Sequence, residues 1–452
     1  MKSGNSKKNY EIDMCNGPVL GKMLLFAVPL MCSSVLQLLF NAADVVVVGR
    51  FAGNAALAAV GSNSALINLL TNLFIGLSVG VNVLVSRYYG AKQGKNIEEA
   101  VHTAMLLSIL SGGLIMLAGC LGAEQILNWM KTPEDVLPLS SLYLRIYFLG
   151  MIPSMVYNFG SAVLRAVGDT KRPLYYLTAA GIVNVLLNLF FVIVCRLSVA
   201  GVGIATVISQ TISAALILRC MMQEEGPIRL ELRRLRICRE KFWKILQIGL
   251  PASVQSMVFS FSNVIIQASV NSFGAVVVAG NSAASSIEGF VYVAMNAFYQ
   301  ASLSFTGQNV GAGKNQRINK ILYTAQGCVI CVGLILGNAA VYFGPQLLSI
   351  YTTSPEVVQA GMERLKIIAG TYALCGVMEV IVGSLRGMGC SVIPMISSMV
   401  GACGLRLFWI FTFFRTEQFH TLTSLYLTYP VSWIVTAAAH GICFMVIRRR
   451  FH

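Results

Sequence analysis

Two stretches of sequence, GAKQGKNIEEAVHTA at Gly90–Ala104 and GAGKNQRINKILYTA at Gly311–Ala325, begin 221 residues apart (311 − 90). The same offset relates Leu164–Gly168, which reads LRAVG, to Leu385–Gly389, which reads LRGMG (385 − 164). A register kept at separated places indicates an internal duplication. The chain is therefore predicted to consist of two related halves.

The composition argues against a water-soluble globular protein. Of the 452 residues, 56% are hydrophobic and only 11% are charged, whereas soluble domains carry about 25% charged residues. Long runs such as residues 51–86 and 245–287 contain no Asp, Glu, Lys or Arg. Because about 20 apolar residues suffice for a helix to cross a bilayer, the chain is predicted to be an all-α membrane protein.

Placing a turn at each polar or glycine-rich break gives about twelve membrane spans, six in each half. The predicted spans are residues 20–48, 56–84, 97–121, 137–163, 173–195, 199–222, 243–270, 278–305, 319–343, 357–384, 392–414 and 422–447. Six is even, so both halves enter the membrane from the same side and are parallel repeats. We predict an N-terminal lobe at residues 1–222, a basic linker at 223–242 and a C-terminal lobe at 243–452.

Lys and Arg concentrate in alternate connecting segments. The basic set holds Lys7, Lys8, Arg87, Lys92, Lys95, Arg165, Lys171, Arg172, Lys314, Arg317, Lys320 and Arg448–Arg450, and the other set holds only Arg50, Lys131, Arg196 and Arg415. Since basic loops stay on the cytoplasmic side, both chain ends are predicted to be cytoplasmic. The net charge of +15 then follows from membrane topology, and we expect no nucleic-acid partner.

The segment Gln223–Lys244 interleaves seven Arg and Lys residues with apolar side chains. This pattern predicts an interfacial helix that lies against anionic membrane lipid.

The motifs that would identify an ATP-driven pump or an enzyme are not evident. Residues 307–314 resemble a phosphate-binding loop, but their spacing is wrong for GxxxxGK[ST] and Asn315 follows. We therefore expect no enzyme and no cofactor, and an intramembrane enzyme is kept as a less favoured alternative.

Polar residues inside the predicted spans are functional candidates, because a charged side chain near a helix centre costs roughly 2.5–3.5 kcal/mol. Asp44 stands alone in the first span, about 9 Å from its outer end at 1.5 Å per residue. Asn184 and Asn188 share one face of the fifth span, and Thr206 is in the sixth. Asp44, Asn188 and Thr206 come out at similar depth, which predicts a site for a small cation or a proton. The alternative is that these groups only hydrogen-bond neighbouring helices.

The second half has its own strongly polar groups. Glu288, Glu379, Gln255 and Arg406 are candidates for a cavity in the C-terminal lobe. The alternative is a structural ion pair, Glu288–Arg406 or Glu379–Arg406.

Several short motifs together resemble the multidrug and toxic compound extrusion (MATE) family along nearly the whole chain. They are Pro29 with Asp44 before Val48-Gly49, LRAVGDTKRP from Leu164, Gly201-Val202-Gly203 before Thr206, GQNVGAGK from Gly307 and LRGMG from Leu385. The resemblance implies two six-helix bundles around a central cleft, rocker-type alternating access, and export of cationic or amphipathic organic compounds in exchange for Na⁺ or H⁺.

By the same resemblance, Asp44, Asn184, Asn188 and Thr206 fall on the family's N-lobe cation site. Asn188 departs from the pattern, because many members carry a second Asp there, and the choice between Na⁺ and H⁺ stays open. Gln255 is neutral where the NorM-type branch has an acid, which favours a DinF-type mechanism in the N-terminal lobe. Binding at Asp44 is expected to favour one arrangement of the first span, which Pro29 allows to bend.

The resemblance also implies a multi-pass protein of the bacterial inner membrane. We expect a monomer whose partners are small organic substrates and membrane lipid. A flippase for lipid-linked oligosaccharides, from the wider superfamily, is the alternative function.

Overall fold

The computed structural model describes residues 10–130 and 132–451, and in these ranges the chain is helical with no β-strand. The helices, numbered in chain order, are α1 Val19–Phe51, α2 Asn54–Gly90, α3 Gly94–Trp129, α4 Leu137–Leu149, α5 Met151–Ala166, α6 Lys171–Leu189, α7 Ser198–Gln223, α8 Arg239–Asn271, α9 Ala275–Gly311, α10 Arg317–Tyr342, α11 Gly344–Ser349, α12 Pro355–Ile367, α13 Tyr372–Gly387, α14 Val392–Ser398, α15 Leu405–Phe411 and α16 Leu422–Arg448. π-Helical turns extend α6 over Phe190–Val194 and join α14 to α15 over Met399–Gly404. The described residues do not include Lys7, Lys8 and Lys131, which were among the residues used to predict the orientation in the membrane.

The predicted fold class is confirmed. Within the described ranges, eleven helical runs are long and apolar enough to cross a membrane, and α4 with α5 gives a twelfth. These two helices are bent by 45° around Gly150. Pro153 contributes to the break, because a proline near the start of α5 has no N–H to donate to a carbonyl of α4.

The prediction of an interfacial helix in the linker is wrong. Between the end of α7 and the start of α8 the chain forms only a single 3₁₀ turn, at Leu232–Arg234. The backbone N–H of Glu231 donates to His102 Nε2 (3.1 Å), and that of Cys238 donates to Thr103 Oγ1 (3.0 Å). The linker therefore lies extended along α3, where side chains satisfy backbone groups that a helix would have satisfied internally.

α1 packs against both halves of the molecule. Its first part, from Val19 to Leu30, belongs to a buried apolar cluster with residues of α9, α10, α13 and α16. There the Phe26 ring meets the Phe305 ring edge-on, with centroids 5.8 Å apart. Its later part packs against α6, which belongs to the first half. α1 thus connects the second half to the interior of the first.

The two halves are in close contact at one face, which we call the basic face. It carries the turns at residues 91–93, 167–170 and 312–316 and the linker 224–238. A Cβ added to Gly90 of α2 would strike the carbonyl oxygen of Gln308, and one added to Gly311 of α9 would strike that of Arg87. These glycines are the first residues of the two repeated stretches, so the contact has the symmetry of the duplication.

The contact between α2 and α8 lies on the same side of the molecule. Neither Gly80 nor Gly249 has room for a Cβ, because each lies against the backbone of the other helix. Hydrogen bonds also join the halves there, since Ser304 donates to Asn82 Oδ1 (3.0 Å) and Gln308 Nε2 donates to the Ala166 carbonyl (2.7 Å). The structure is therefore closed at the basic face.

Adding one methyl group to this contact should weaken the closure. Gly80→Ala places a Cβ against the Ile245 carbonyl oxygen, and overpacking of this kind costs about 1–3 kcal/mol. We expect the basic face to open in a larger fraction of molecules, measured as a longer distance between labels on Lys95 of α3 and Lys320 of α10. The control is Gly61→Ala in the same helix, whose Cβ would meet nothing within 4 Å; equal effects of the two changes would contradict the argument.

Candidate functional site

The Asp44 carboxylate and two asparagine side chains meet between α1 and α6. Asn188 Nδ2 donates to Asp44 Oδ1 and lies 3.3 Å from Asn184 Oδ1, so Asn188 sits between the other two. Both asparagines are buried and Asp44 is half-buried. Across the described residues, Asp44 makes no ion pair with a basic side chain.

A glycine permits this approach of α1 to α6. A Cβ on Gly181 would strike the ring of Phe40, which lies one turn before Asp44 on α1. Gly181 is about one turn before Asn184 on α6. The ring thus packs directly on the α6 backbone, and the carboxylate is brought within hydrogen-bonding reach of Asn188.

The donor set has the chemistry of a small-cation or proton site. Asn188 Oδ1 is buried with no hydrogen-bond partner, and a buried acceptor left without a partner is unfavourable. Carboxylate and amide oxygens are ligands that hard cations accept. Asp44 with Asn184 and Asn188 can therefore hold either a proton on the carboxylate or a cation among the oxygens.

Thr206 is not hydrogen-bonded to this group. Its hydroxyl donates to the Val202 carbonyl in its own helix, α7, at 2.9 Å, which is the usual local bond of a helical threonine. Sequence reasoning overlooked Tyr143 and Tyr147 of α4, whose hydroxyls lie within electrostatic range of the Asp44 carboxylate. Tyrosines are common in membrane helices, so nothing in the sequence distinguished these two.

Pro29 lies inside α1, which continues through it as a helix. The Ser33 hydroxyl donates to the Pro29 carbonyl at 2.9 Å. A bend of α1 at this residue stays a prediction.

Glu288 pairs with Arg364, and neither ion pair predicted with Arg406 is formed. Arg364 Nε donates to Glu288 Oε1 (3.0 Å), Nη2 donates to Oε2 (2.8 Å), and Nη1 donates to Asn281 Oδ1 (2.7 Å). The sequence analysis did not consider Arg364 as a partner, although it lies inside the predicted span 357–384 and is on α12 in the structure.

The other candidates of the second half lie in separate surroundings. Arg386 donates to Gln255 Oε1 (2.8 Å) and to the Tyr299 hydroxyl (2.6 Å). Arg406 donates to the Ser432 hydroxyl (2.8 Å) and lies over the Tyr429 ring at 4.2 Å. Glu379 makes no hydrogen bond in the part of the chain that the structure describes, and it lies within electrostatic range of Arg386.

A cavity of about 260 Å³ opens beside the Glu288–Arg364 pair. Tyr292, Tyr372 and Tyr429 contribute aromatic walls to it. Of the four residues predicted for a cavity in the C-terminal lobe, Glu288 lines this cavity and Gln255, Glu379 and Arg406 do not.

Comparison with known proteins gives a family match over both halves. A family profile described as MatE matches residues 29–190 and 251–412. The probable multidrug resistance protein YpnP of Bacillus subtilis is 30% identical over 412 residues, which is 90% of each chain. The probable multidrug resistance protein YoeA of the same organism is 27% identical over 421 residues, 92% of this chain and 91% of that one.

A solved structure supports the fold. It is described as the outward-facing conformation of a multidrug resistance MATE family transporter of the MOP superfamily. It is 20% identical, covers 99% of each chain and superposes with a TM-score of 0.87.

The geometry indicates that Asn188 contributes to the site and that the Thr206 hydroxyl does not. Asn188→Ala removes the donor to Asp44, whereas Thr206→Val removes a hydroxyl that bonds only within α7. We expect ion-driven transport to fall at least tenfold in Asn188→Ala, as for loss of a hydrogen bond to a charged group, and to change less than twofold in Thr206→Val. Uptake or efflux in proteoliposomes measures both. The reverse order of effects would show that the Asp44–Asn188 contact is not what matters.

The ion pair of the second half should act mainly on stability. Glu288→Gln leaves the buried Arg364 guanidinium without its counter-charge, and breaking a buried pair costs about 3–5 kcal/mol. We expect a clearly lower thermal unfolding midpoint in detergent for Glu288→Gln than for Glu379→Gln, because Glu379 has no hydrogen bond to lose. Equal midpoints would indicate that the pair is not a structural element.

Proposed function

Because this chain belongs to the MatE family of multidrug efflux transporters, we propose that it exports cationic or amphipathic organic molecules in exchange for Na⁺ or H⁺. The observation that carries the proposal is the Asp44 carboxylate, which lies in a membrane-spanning helix with an amide for a partner. No basic side chain within the described ranges is paired to it. A carboxylate in this setting is costly to keep ionised. Taking up a proton or a small cation relieves that cost, so occupancy of the site depends on the ion gradient.

We assign the basic face to the cytoplasm. The turns on this face carry most of the arginines and lysines among the connections, and positive charge is retained on the cytoplasmic side of bacterial inner membranes. Both relatives described above are bacterial. With this orientation the described conformation is closed toward the cytoplasm.

Occupancy of Asp44 acts on the arrangement of the halves through α1. Protonation or cation binding changes what Asp44 accepts from Asn188 of α6, and therefore changes the contact between α1 and the first half. The other end of α1 is fixed in the second half by Phe26 against Phe305. A change at one end of this helix therefore alters the relative stability of the two arrangements of the halves.

Coupling follows if the ion and the substrate prefer different arrangements. A ligand shifts an equilibrium only by its difference in affinity for the two states, and the effect is reciprocal. An ion that favours the arrangement closed to the outside lowers the population of the outward-open arrangement. The affinity of the protein for substrate on the outer side therefore falls. The cavity beside Tyr292, Tyr372 and Tyr429 offers apolar and polar walls for part of such a molecule.

Asp44→Asn should abolish gradient-driven efflux while leaving the protein folded. An amide has nearly the shape of the carboxyl group but binds neither a proton near neutral pH nor a cation by charge. We expect efflux of a fluorescent organic cation from proteoliposomes, with Na⁺ and pH gradients imposed separately, to fall at least a hundredfold. The unfolding midpoint should change little, because the neutral side chain is the easier one to bury.

Glu124→Gln is the matched control, since Glu124 is an exposed acid in a surface pair with Arg145 at 3.3 Å. Its efflux should equal that of the wild type. Wild-type efflux that follows neither gradient would refute antiport, and normal efflux by Asp44→Asn would refute the role of Asp44.

A further inference from the structure

The first described residues of the chain cross from one half to the other on the basic face. We call residues 10–17 the strap, with residues 13–17 as its root and residues 10–12 as its tip. The strap is not helical, and it leads directly into α1, which begins at Val19. Its position follows from what its backbone and side chains contact.

The root is attached to the second half. Asn309 Nδ2 donates to the Met14 carbonyl (3.0 Å), Lys314 Nζ to the Cys15 carbonyl (3.1 Å), and Arg317 Nη2 to the Gly17 carbonyl (3.0 Å). Met14 is fully buried in the apolar cluster that contains residues of α9 and α10. Backbone carbonyls held by three side chains fix the path of the root.

The root also has its own internal structure. Asp13 Oδ1 accepts from the backbone N–H groups of Cys15 (2.9 Å) and Asn16 (3.2 Å), and Lys22 Nζ donates to the Asp13 carbonyl (2.6 Å). Partial burial raises the pKa of Asp13, but the hydrogen bonds from Asn16 and Cys15 and the charge of Lys22 outweigh it and hold the pKa below its usual range. Asp13 therefore stays ionised at neutral pH and keeps its hydrogen bonds to the backbone of the turn.

The tip is attached to the first half. Glu11 Oε2 accepts from the Tyr89 hydroxyl at the end of α2 (2.7 Å), and the Arg172 guanidinium lies over the Tyr10 ring at 5.2 Å. The backbone of Ile12 runs against Gly168, where a Cβ would come within 2.6 Å of the Ile12 nitrogen. Gly168 has φ +95°, a conformation that favours glycine.

The geometry points to the strap as a latch: its root holds the second half, its tip holds the first, and the basic face opens only after the tip releases Tyr89, Gly168 and Arg172. Contacts present in one arrangement and absent from the other bias the equilibrium toward the first. The tip therefore stabilises the state closed to the cytoplasm and sets how often the other state is reached. A cavity of about 870 Å³ borders Glu11, Tyr89 and Lys314 and gives the released tip space to move.

This inference rests on the alternating access of the proposed function, but it is tested without transport. Labels at Lys95 of α3 and Lys320 of α10, both exposed, report the separation of the halves at the basic face. Introduced as non-natural amino acids, they leave the twelve native cysteines in place. Single-molecule energy transfer in liposomes then gives the fraction of molecules open at this face.

Removing the tip contacts should raise the open fraction. In Tyr10→Ala/Glu11→Ala we expect a rise of roughly fivefold or more, because two side-chain contacts to the first half are lost. Tyr89→Phe removes only the bond to Glu11 and keeps the ring, so it should give a smaller rise in the same direction. Since Tyr89→Phe is conservative, it keeps the test valid if the double variant folds poorly.

Glu98→Ala serves as the control, because it removes an acidic contact on the same face that joins α3 to Arg234 of the linker at 3.1 Å. Its open fraction should match the wild type. An open fraction unchanged in both tip variants, or raised equally by Glu98→Ala, would overturn the latch. Failure of the proposed function is a different result, namely wild-type efflux that follows neither gradient, and it leaves the distance measurement interpretable.

Discussion

The proposed function depends on one contact, the hydrogen bond that Asn188 donates to Asp44. A carboxyl group in a membrane-spanning helix needs a partner, and the usual one for a permanent structural role is a basic side chain that cancels the charge. Here the partner is an amide, which orients the carboxyl group without neutralising it. In the proposed function, the charge state of Asp44 is thus left free to follow the ion that reaches it.

That contact matters beyond its own surroundings because of where α1 lies. Its later part touches α6 at Gly181 and Asn188, and its first part is buried in the second half around Phe26. In the proposed function, a helix shared in this way carries a local change at Asp44 to the second half through its own backbone. The non-helical strap precedes α1 on the basic face, so one continuous segment contacts the candidate site at Asp44, the second half and the closed face.

Much of the architecture could be predicted from the sequence because a membrane allows few backbone conformations. Backbone groups in lipid must bond within their own segment, so apolar runs of sufficient length become helices whose approximate bounds can be read directly. The break at Gly150, the extended linker and the partner of Glu288 did not follow, because each depends on tertiary contacts. The linker is the clearest case: its alternating basic and apolar residues fit an interfacial helix, but His102 and Thr103 of α3 offered its backbone better-placed partners. At the site, spacing brought Asn184 and Asn188 onto one face, whereas the hydroxyl of Thr206 bonds within its own helix.

The two halves keep a common scaffold but differ in how their buried charges are compensated. In the second half, Glu288 is held by two hydrogen bonds from Arg364, and Glu379 lies within electrostatic range of Arg386. In the first half, Asp44 has an amide neighbour and, among the residues that the structure describes, no paired basic side chain. Glu288, which is paired with the Arg364 guanidinium, gains little from a proton or a cation, because binding would leave the arginine uncompensated. Neutralising Asp44 leaves no arginine of the described residues without its counter-charge. For the proposed antiport, this difference in charge favours the first half as the place where the ion gradient acts, while the first part of α1 stays packed in the second half.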